Sequence, residues 1–298
     1  MFGPHINRKY SSKKGATMTD QVRAAVGIAT NEGFDVKAAS VFVSNPRGWK
    51  MTMTNDEAAE LKEYLEETKM CVIAHGSYLD VALFSKDKRV PAGRFIREEV
   101  KMCAAAGIRG LVVHLPNKGV DDVVASIPSV FTLDKTVLVY LETPAVSPSK
   151  SHYETPEKLA TLFAAIRKKV DPKLMKIGLC IDTAHIWTCG VDISSYEKAE
   201  AWLDELRKYE DVIPPSHIMF HLNDSVYECG DGKDEHATLL RGKIWGAYEE
   251  NPEESGLAAF LRYAMGNNTP CILERKPESE IPTDYRTILS MTTAPSSG

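Results

Sequence analysis

Six side chains able to bind a metal ion stand at the ends of six short apolar segments of the sequence. They are His75, His114, Glu142, Asp182, His221 and Glu274. A titratable group placed directly after an apolar strand is energetically unfavourable unless it is paired or binds a metal. One such residue is compatible with a structural role. Six of them, all of types that bind zinc through nitrogen or oxygen, indicate a metal centre.

Two loops add further candidate ligands. His185 follows Asp182 by three residues, and Asp234 precedes His236 by two. Residues i and i+2 of an extended segment point the same way, so Asp234 and His236 can reach one ion. Together with His185 they form an additional predicted metal site.

Eight apolar segments alternate with segments of helical periodicity. The predicted strands are residues 2–6, 39–43, 70–74, 110–115, 136–141, 176–181, 216–222 and 270–273. Predicted helices include residues 56–68, 93–106, 156–170 and 196–209. Thr54 and Glu57 predict a capping box before the first of these helices, and Gly107 predicts the end of the second.

This alternation predicts an α/β fold, a (β/α)8 TIM barrel in which residues 1–298 form one domain with a disordered tail at 293–298. The C-terminal ends of the strands of such a barrel open onto one face, where we expect the metal site. A doubly wound open sheet is the alternative. It normally has a glycine-rich phosphate turn after its first strand, and Pro4-His5-Ile6-Asn7-Arg8 contains no glycine.

Composition sets limits on the partners. No apolar run approaches the roughly 18 residues that cross a bilayer, and the six cysteines form no C-x-x-C pair. We therefore expect an intracellular protein of the cytoplasm or nucleus that binds no membrane. We also expect a monomer, although composition does not bear on oligomeric state. The net charge of −5 argues mildly against a nucleic-acid partner, although three Zn²⁺ would change it to +1 (−5 + 6) within one site.

Several sequence blocks resemble those of endonuclease IV, the zinc-dependent apurinic/apyrimidinic (AP) endonuclease family. The blocks are His114 after a strand, Cys180-Ile181-Asp182-Thr183-Ala184-His185, His221-Leu222-Asn223-Asp224, Asp234-x-His236 and Leu273-Glu274. Three others are most similar to the versions in large cytoplasmic DNA viruses, namely Phe2-Gly3, Ser77-Tyr78-Leu79-Asp80-Val81 and Pro214-Pro215-Ser216-His217-Ile218. The resemblance extends from about Phe2 to Arg275.

The resemblance implies a DNA-repair hydrolase that cuts 5′ to abasic sites in duplex DNA and leaves a 3′ hydroxyl. It implies three zinc ions per chain. The first would be held by His75, His114 and Glu142, the second by Glu142, Asp182, His221 and Glu274, and the third by His185, Asp234 and His236. Glu142 and Glu274 would orient or deprotonate the attacking water. A viral source would place the protein in the host cytoplasm and in the virion. The sequence leaves open whether 3′-phosphatase, 3′-diesterase or 3′→5′ exonuclease activity accompanies incision.

DNA contacts are expected from three loops. Arg47 and Trp49 stand where the family has its DNA-penetrating loop, and Tyr78 and Leu79 stand on the next loop. An apolar or aromatic wedge with an arginine is what kinking a duplex through its minor groove requires. After His236 the family usually has Gly-Glu-Gly-x-Ile-Gly, but this chain has Leu240-Arg241-Gly242-Lys243-Ile244-Trp245. The reversal of charge there predicts that Arg241 and Lys243 contact phosphate.

Two other functions compete with this prediction. A sugar isomerase or epimerase on the related barrel would use one or two metal ions and would leave Asp234 and His236 without a role. A non-catalytic module would bind abasic DNA without cutting it, but it would have no need for all nine ligands. Among the other histidines, His5 faces the same pocket on the first strand, while His217 is expected to be structural.

Overall fold

The computed structural model describes residues 1–127, 136–169, 176–275 and 278–293. Its strands are β1 (Phe2–Ile6), β2 (Ala38–Phe42), β3 (Cys71–His75), β4 (Gly110–His114), β5 (Leu138–Glu142), β6 (Ile177–Asp182), β7 (Ile218–His221), β8 (Asp224–Ser225), β9 (His236–Ala237) and β10 (Cys271–Leu273). Its α-helices are α1 (Met18–Asn31), α2 (Asn55–Thr68), α3 (Arg89–Ala105), α4 (Val120–Val124), α5 (Pro156–Lys169), α6 (Thr183–Thr188), α7 (Tyr196–Arg207), α8 (Gly256–Asn267) and α9 (Ile281–Thr293).

Eight parallel strands of the described residues close into a barrel in the order β1-β10-β7-β6-β5-β4-β3-β2. The predicted TIM barrel is confirmed. β8 and β9 pair outside the barrel as a two-stranded antiparallel sheet. No helix within the described ranges has the length and apolar character needed to span a bilayer.

The observed elements differ from the predicted ones at their ends. His75, Glu142 and Asp182 are the last residues of strands rather than the residues after them, because they still pair in the sheet, as Glu142 does with His114. The predicted start of strand seven at Ser216 is wrong, since Pro215–His217 forms a 3₁₀ turn. Helix α3 begins at Arg89, before Gly93, because Pro91 is tolerated in a first helical turn.

The two predicted helix-boundary signals are confirmed. The Thr54–Glu57 capping box is present, and Gly107, at φ +68°, follows the end of α3 in the left-handed conformation. Residue 170 of the predicted third helix and residues 294–298 of the predicted tail lie outside the described residues. Thr293 ends α9, so the tail prediction is wrong at its first residue.

Two apolar clusters build the core. The larger one lies between barrel and helices, and the smaller one consists of Ala38, Cys71, Ile73, Val112, Leu138, Tyr140, Cys180, Met219 and Ile272. Tyr140 packs against Gly110 and Gly178, where an added Cβ would lie 2.5 Å and 2.6 Å from its ring. These glycines leave room for the ring between neighbouring strands.

Candidate metal centre

Strand alternation places six candidate ligands in one layer. The smaller cluster contains Ile73, Val112, Tyr140, Cys180, Met219 and Ile272, each of which precedes a candidate ligand by two residues. Residues i and i+2 of a strand share a face, so the six ligands continue this cluster toward the C-terminal mouth of the barrel. The side chains of His75, Glu142, Asp182 and His221 are at most 3% exposed.

Glu142 lies at the centre of the group, with its two oxygens facing different histidines. Oε2 is 3.2 Å from His114 Nε2 and 3.8 Å from His75 Nε2. Oε1 is 2.8 Å from His221 Nδ1. A carboxylate oriented in this way can bridge two cations, with one oxygen on each.

Asp182 and Glu274 complete the group around His221. His221 Nδ1 lies 3.4 Å from Glu274 Oε2 and 3.8 Å from Asp182 Oδ2. Oδ1 of Asp182 accepts hydrogen bonds from the backbone amides of Ala184 and His185 in α6, and Oδ2 is the oxygen that faces His221 and His236. Ligand atoms of Glu142, Asp182, His221 and Glu274 all lie within 4.8 Å of one another.

The loop candidates converge beside this group. Asp234 lies 3.4 Å from His185 Nε2 through Oδ2 and 3.0 Å from His236 Nε2 through Oδ1. β9 presents His236, which pairs with Ser225 of β8, an arrangement that the sequence analysis did not predict. Ligand atoms of Asp182, His185 and His236 also lie within 4.8 Å of one another. Asp182 therefore lies between the group around His221 and the group formed by the loop candidates.

Backbone carbonyls fix three of the imidazoles. His75, His185 and His236 direct Nδ1 at the carbonyl oxygens of Gly76, Thr143 and Glu274, at 2.7, 2.7 and 3.1 Å. A carbonyl only accepts, so each Nδ1 carries a proton and donates, which directs Nε2 at the neighbouring candidate ligands. Histidines that bind metals are commonly oriented in this way.

One buried atom at the centre, Glu142 Oε2, has no hydrogen bond of good geometry within the described residues. Buried polar atoms are nearly always satisfied, and this atom faces the candidate ligands His114 and His75. The donor set of imidazole nitrogens and carboxylate oxygens is one that zinc accepts. The residues therefore fit divalent cations.

Electrostatics hold three of the candidate ligands in their metal-binding forms. Four others shift the opposite way: burial raises the pKa of Asp182, and neighbouring acidic groups raise the pKa of His185, His221 and His236 despite their burial. Burial lowers the pKa of His75 to about 3, and the neighbouring His114 adds to that shift. Burial alone would raise the pKa of Glu142, but the imidazoles around it, His114 first, hold it below its ordinary value. The pKa of Glu274 is likewise lowered well below its usual value because His221 and His5 outweigh its burial. A neutral imidazole and ionised carboxylates are the forms that bind cations.

A cavity of about 740 Å³ opens above the centre and is lined by candidate ligands together with His5, Arg47 and Tyr78. His5, which sequence analysis left without an assigned role, lies 3.2 Å from Glu274 through Nδ1. The ring of Tyr78 is 5.5 Å from that of His75. A ligand in this cavity would therefore touch the loops and the centre at once.

The loops expected to penetrate DNA lie at the rim of the cavity. Tyr78, Leu79 and Trp49 expose 45%, 43% and 36% of their surface. The backbone amide of Tyr78 donates to the Pro46 carbonyl at 2.9 Å, which joins the two loops. Insertion of these side chains into DNA stays a prediction.

Arg241 and Lys243 are held elsewhere. Arg241 pairs with Glu249 at 3.0 Å and Lys243 with Glu228 at 2.7 Å, all on exposed side chains. Neither basic residue lines the cavity. Contact with phosphate would require these weak surface pairs to open, and it stays a prediction.

A buried carboxyl pair beneath the rim loops was not predicted from sequence. Asp80 and Glu99 are both fully buried and hydrogen-bonded to each other, and Ser44 Oγ donates to Glu99 at 2.6 Å. Burial raises the pKa of Asp80 to about 10, and the adjacent Glu99 adds to it. Asp80 therefore holds a proton at neutral pH and donates it to Glu99.

We expect Asp80→Asn to change the pH dependence of stability. The unfolded state loses the Asp80 proton near pH 4, while the folded state keeps it to about pH 10. The wild-type free energy of unfolding therefore falls between these values, by up to about 1.4 kcal/mol per pH unit. The introduced amide does not titrate, so the variant should gain stability relative to wild type from pH 5 to pH 9 in urea unfolding. Glu98→Gln, on the exposed face of α3, is the control, and a constant difference for Asp80→Asn would contradict the assignment.

Comparisons with known proteins cover most of the chain. A family model described as a xylose isomerase-like TIM barrel matches residues 28–257. A probable AP endonuclease of African swine fever virus is 40% identical over 278 residues, which are 92% of each protein.

Two solved structures are similar over 98% of both chains. The crystal structure of AsfvAP:AG has a TM-score of 0.92 at 37% identity. Endonuclease IV from Thermus thermophilus has a TM-score of 0.74 at 25% identity. The chain is thus similar to these proteins in sequence and over nearly the whole length of both solved chains, and not only in having a barrel fold.

Proposed function

This chain belongs to the xylose isomerase-like TIM-barrel family and, within it, to the AP endonucleases of the endonuclease IV type, and we propose its reaction from that premise. It hydrolyses the phosphodiester bond on the 5′ side of abasic sites in duplex DNA and leaves a 3′ hydroxyl. One observation carries the proposal: nine side chains with nitrogen or oxygen donor atoms lie at the mouth of one barrel, with Glu142 between two of the groups.

Three zinc ions are the proposed cofactors. His75, His114 and Glu142 would hold the first, Glu142, Asp182, His221 and Glu274 the second, and His185, Asp234 and His236 the third. Bound divalent cations would supply Lewis acidity, which neutralises charge on phosphoryl oxygens and makes water a nucleophile near neutral pH.

The protein's own groups would move the proton and orient the substrate. The Glu274 side chain is 18% exposed and that of Glu142 only 1%, so a water entering from the cavity meets Glu274 first. We assign Glu274 the role of accepting the proton of that water. Glu142, between the histidines, holds the centre together.

Substrate binding is assigned to the rim loops. Arg47 and Tyr78 line the cavity, and Leu79 and Trp49 are exposed on the same two loops. Inserting such side chains beside an abasic gap disturbs the least stacking, because the base is already missing. The wedge thus favours abasic over intact DNA.

The test uses a labelled duplex with one abasic-site analogue. We expect zinc-loaded protein to cut on the 5′ side of the lesion, to continue in mild EDTA, and to leave the same duplex with an intact nucleotide uncut. Binding without cutting after zinc loading would support a non-catalytic module. Turnover of a sugar with about one or two zinc ions bound per chain would support an isomerase.

A further inference from the structure

A buried ion pair lies behind the metal centre, outside the proposed ligand set. Arg275 Nε is 2.5 Å from Asp284 Oδ2, and both side chains are fully buried. Arg275 follows Glu274 directly, and Asp284 belongs to α9. Both residues lie beyond the part of the chain matched by the family model. Burying two charges adds little net stability, so a gain in stability does not by itself explain why this ion pair is buried.

The arginine connects to the ligands through Asn223. Its Nη1 donates to Asn223 Oδ1 at 3.0 Å and to the Glu274 carbonyl at 2.9 Å. Oδ1 also accepts from the Glu274 backbone amide at 3.1 Å, so the amide nitrogen of Asn223 must face the other way. That nitrogen donates to Asp182 Oδ2 at 2.7 Å and lies 3.4 Å from Glu274 Oε2. Arg275 thereby orients the side chain that holds two carboxylate ligands.

The aspartate connects to a second ligand segment. Asp284 Oδ1 accepts a hydrogen bond from the Leu239 backbone amide at 2.8 Å, three residues after His236. Thr238 of the same segment donates through its hydroxyl to Glu280, just before α9, at 2.8 Å. One carboxylate therefore contacts both the Arg275 side chain and the backbone that presents His236.

We propose that Arg275 and Asp284 are positioning residues that use α9 to hold Asp182, Glu274 and His236 at ligating distance. The pair acts only through other side chains, since neither residue is a ligand. The inference rests on the proposed metal centre. It predicts that loss of the Arg275–Asp284 pair weakens the binding of some ions and not of others. The affinity for the two ions held through Asp182, Glu274 and His236 depends on the pair. The ion held by His75, His114 and Glu142 does not, because none of those side chains is bonded to Asn223 or Arg275.

The test measures zinc affinity by competition with a chromogenic chelator. Arg275→Met/Asp284→Leu removes both charges, which is frequently tolerated in a core. We expect two of the three ions to bind about 10- to 100-fold more weakly, while the third keeps its wild-type affinity. Arg275→Lys keeps the positive charge that pairs with Asp284, but it loses the Nη1 hydrogen bond to Asn223 Oδ1. It should weaken the same two ions.

The matched control is Arg286→Gln/Glu32→Gln, which removes an exposed pair that also anchors α9. It should leave zinc affinity unchanged. Wild-type affinity at all sites in either Arg275 variant, in protein shown to be folded by circular dichroism, would overturn the inference. Equal loss at all three sites would also overturn it. A wild-type protein that binds no zinc would refute the proposed function instead, so the two failures are distinguishable.

Discussion

Glu142→Gln is expected to reduce incision of abasic DNA at least about 100-fold while leaving binding of the duplex largely intact. The glutamine amide has a donor nitrogen in place of one carboxylate oxygen, so it cannot present an oxygen to the His114 and His221 sides at once. The substitution also removes the negative charge that would help to bind two cations. The rim loops that would bind DNA do not change. The effect should therefore appear in kcat rather than in the dissociation constant.

Single-turnover cleavage and fluorescence anisotropy of the same duplex separate the two quantities. Glu235→Gln is a matched control, because this residue lies between Asp234 and His236 but bonds to the Tyr227 hydroxyl. Its incision should stay near that of wild type. Activity of Glu142→Gln above about one hundredth of wild type would contradict the assigned role.

Removal of the metal is expected to lower the melting temperature by roughly 10 °C. An ion present at about 1,000 times its dissociation constant stabilises the fold by about 4 kcal/mol, and each kcal/mol shifts the Tm of a chain near this size by about 2–4 °C. The physical reason is local. Without cations, the carboxylates of Glu142, Asp182 and Glu274 lie close together at the mouth of the barrel, compensated by imidazoles, the Asn223 amide and backbone amides of α6.

Differential scanning calorimetry before and after prolonged chelation measures this shift. Adding zinc back should restore the Tm. Magnesium should not, because it prefers six oxygen ligands and this set is rich in imidazole. A Tm that does not respond to chelation would show that no ion contributes to the fold.

The barrel and its ligand-bearing strand ends were predictable because they depend on local patterns. An apolar run followed by a His, Asp or Glu residue predicts a strand and also the position of its C-terminal end. A barrel brings the C-terminal ends of its strands together on one face. The ends were displaced by one residue because His75 and Glu142 still pair with neighbouring strands. Periodicity gives no sign of such pairing.

Contacts between distant segments could not be predicted. Asn223 stood in a recognised block, but nothing in the sequence joined it to Arg275, and nothing joined Arg275 to Asp284. Asp80 and Glu99 were equally hidden, because a buried carboxyl looks like an exposed one until its helix is placed. The monomeric state and the location in the cell stay predictions, since they depend on surfaces and signals that these patterns do not report.

Anomalous diffraction at the zinc edge from crystals of the purified protein would locate any bound zinc ions. We expect three peaks around Glu142: one beside His75 and His114, one beside Asp182, His221 and Glu274, and one beside His185, Asp234 and His236. A single peak, or none, in protein that still cuts abasic DNA would contradict the proposed three-ion centre.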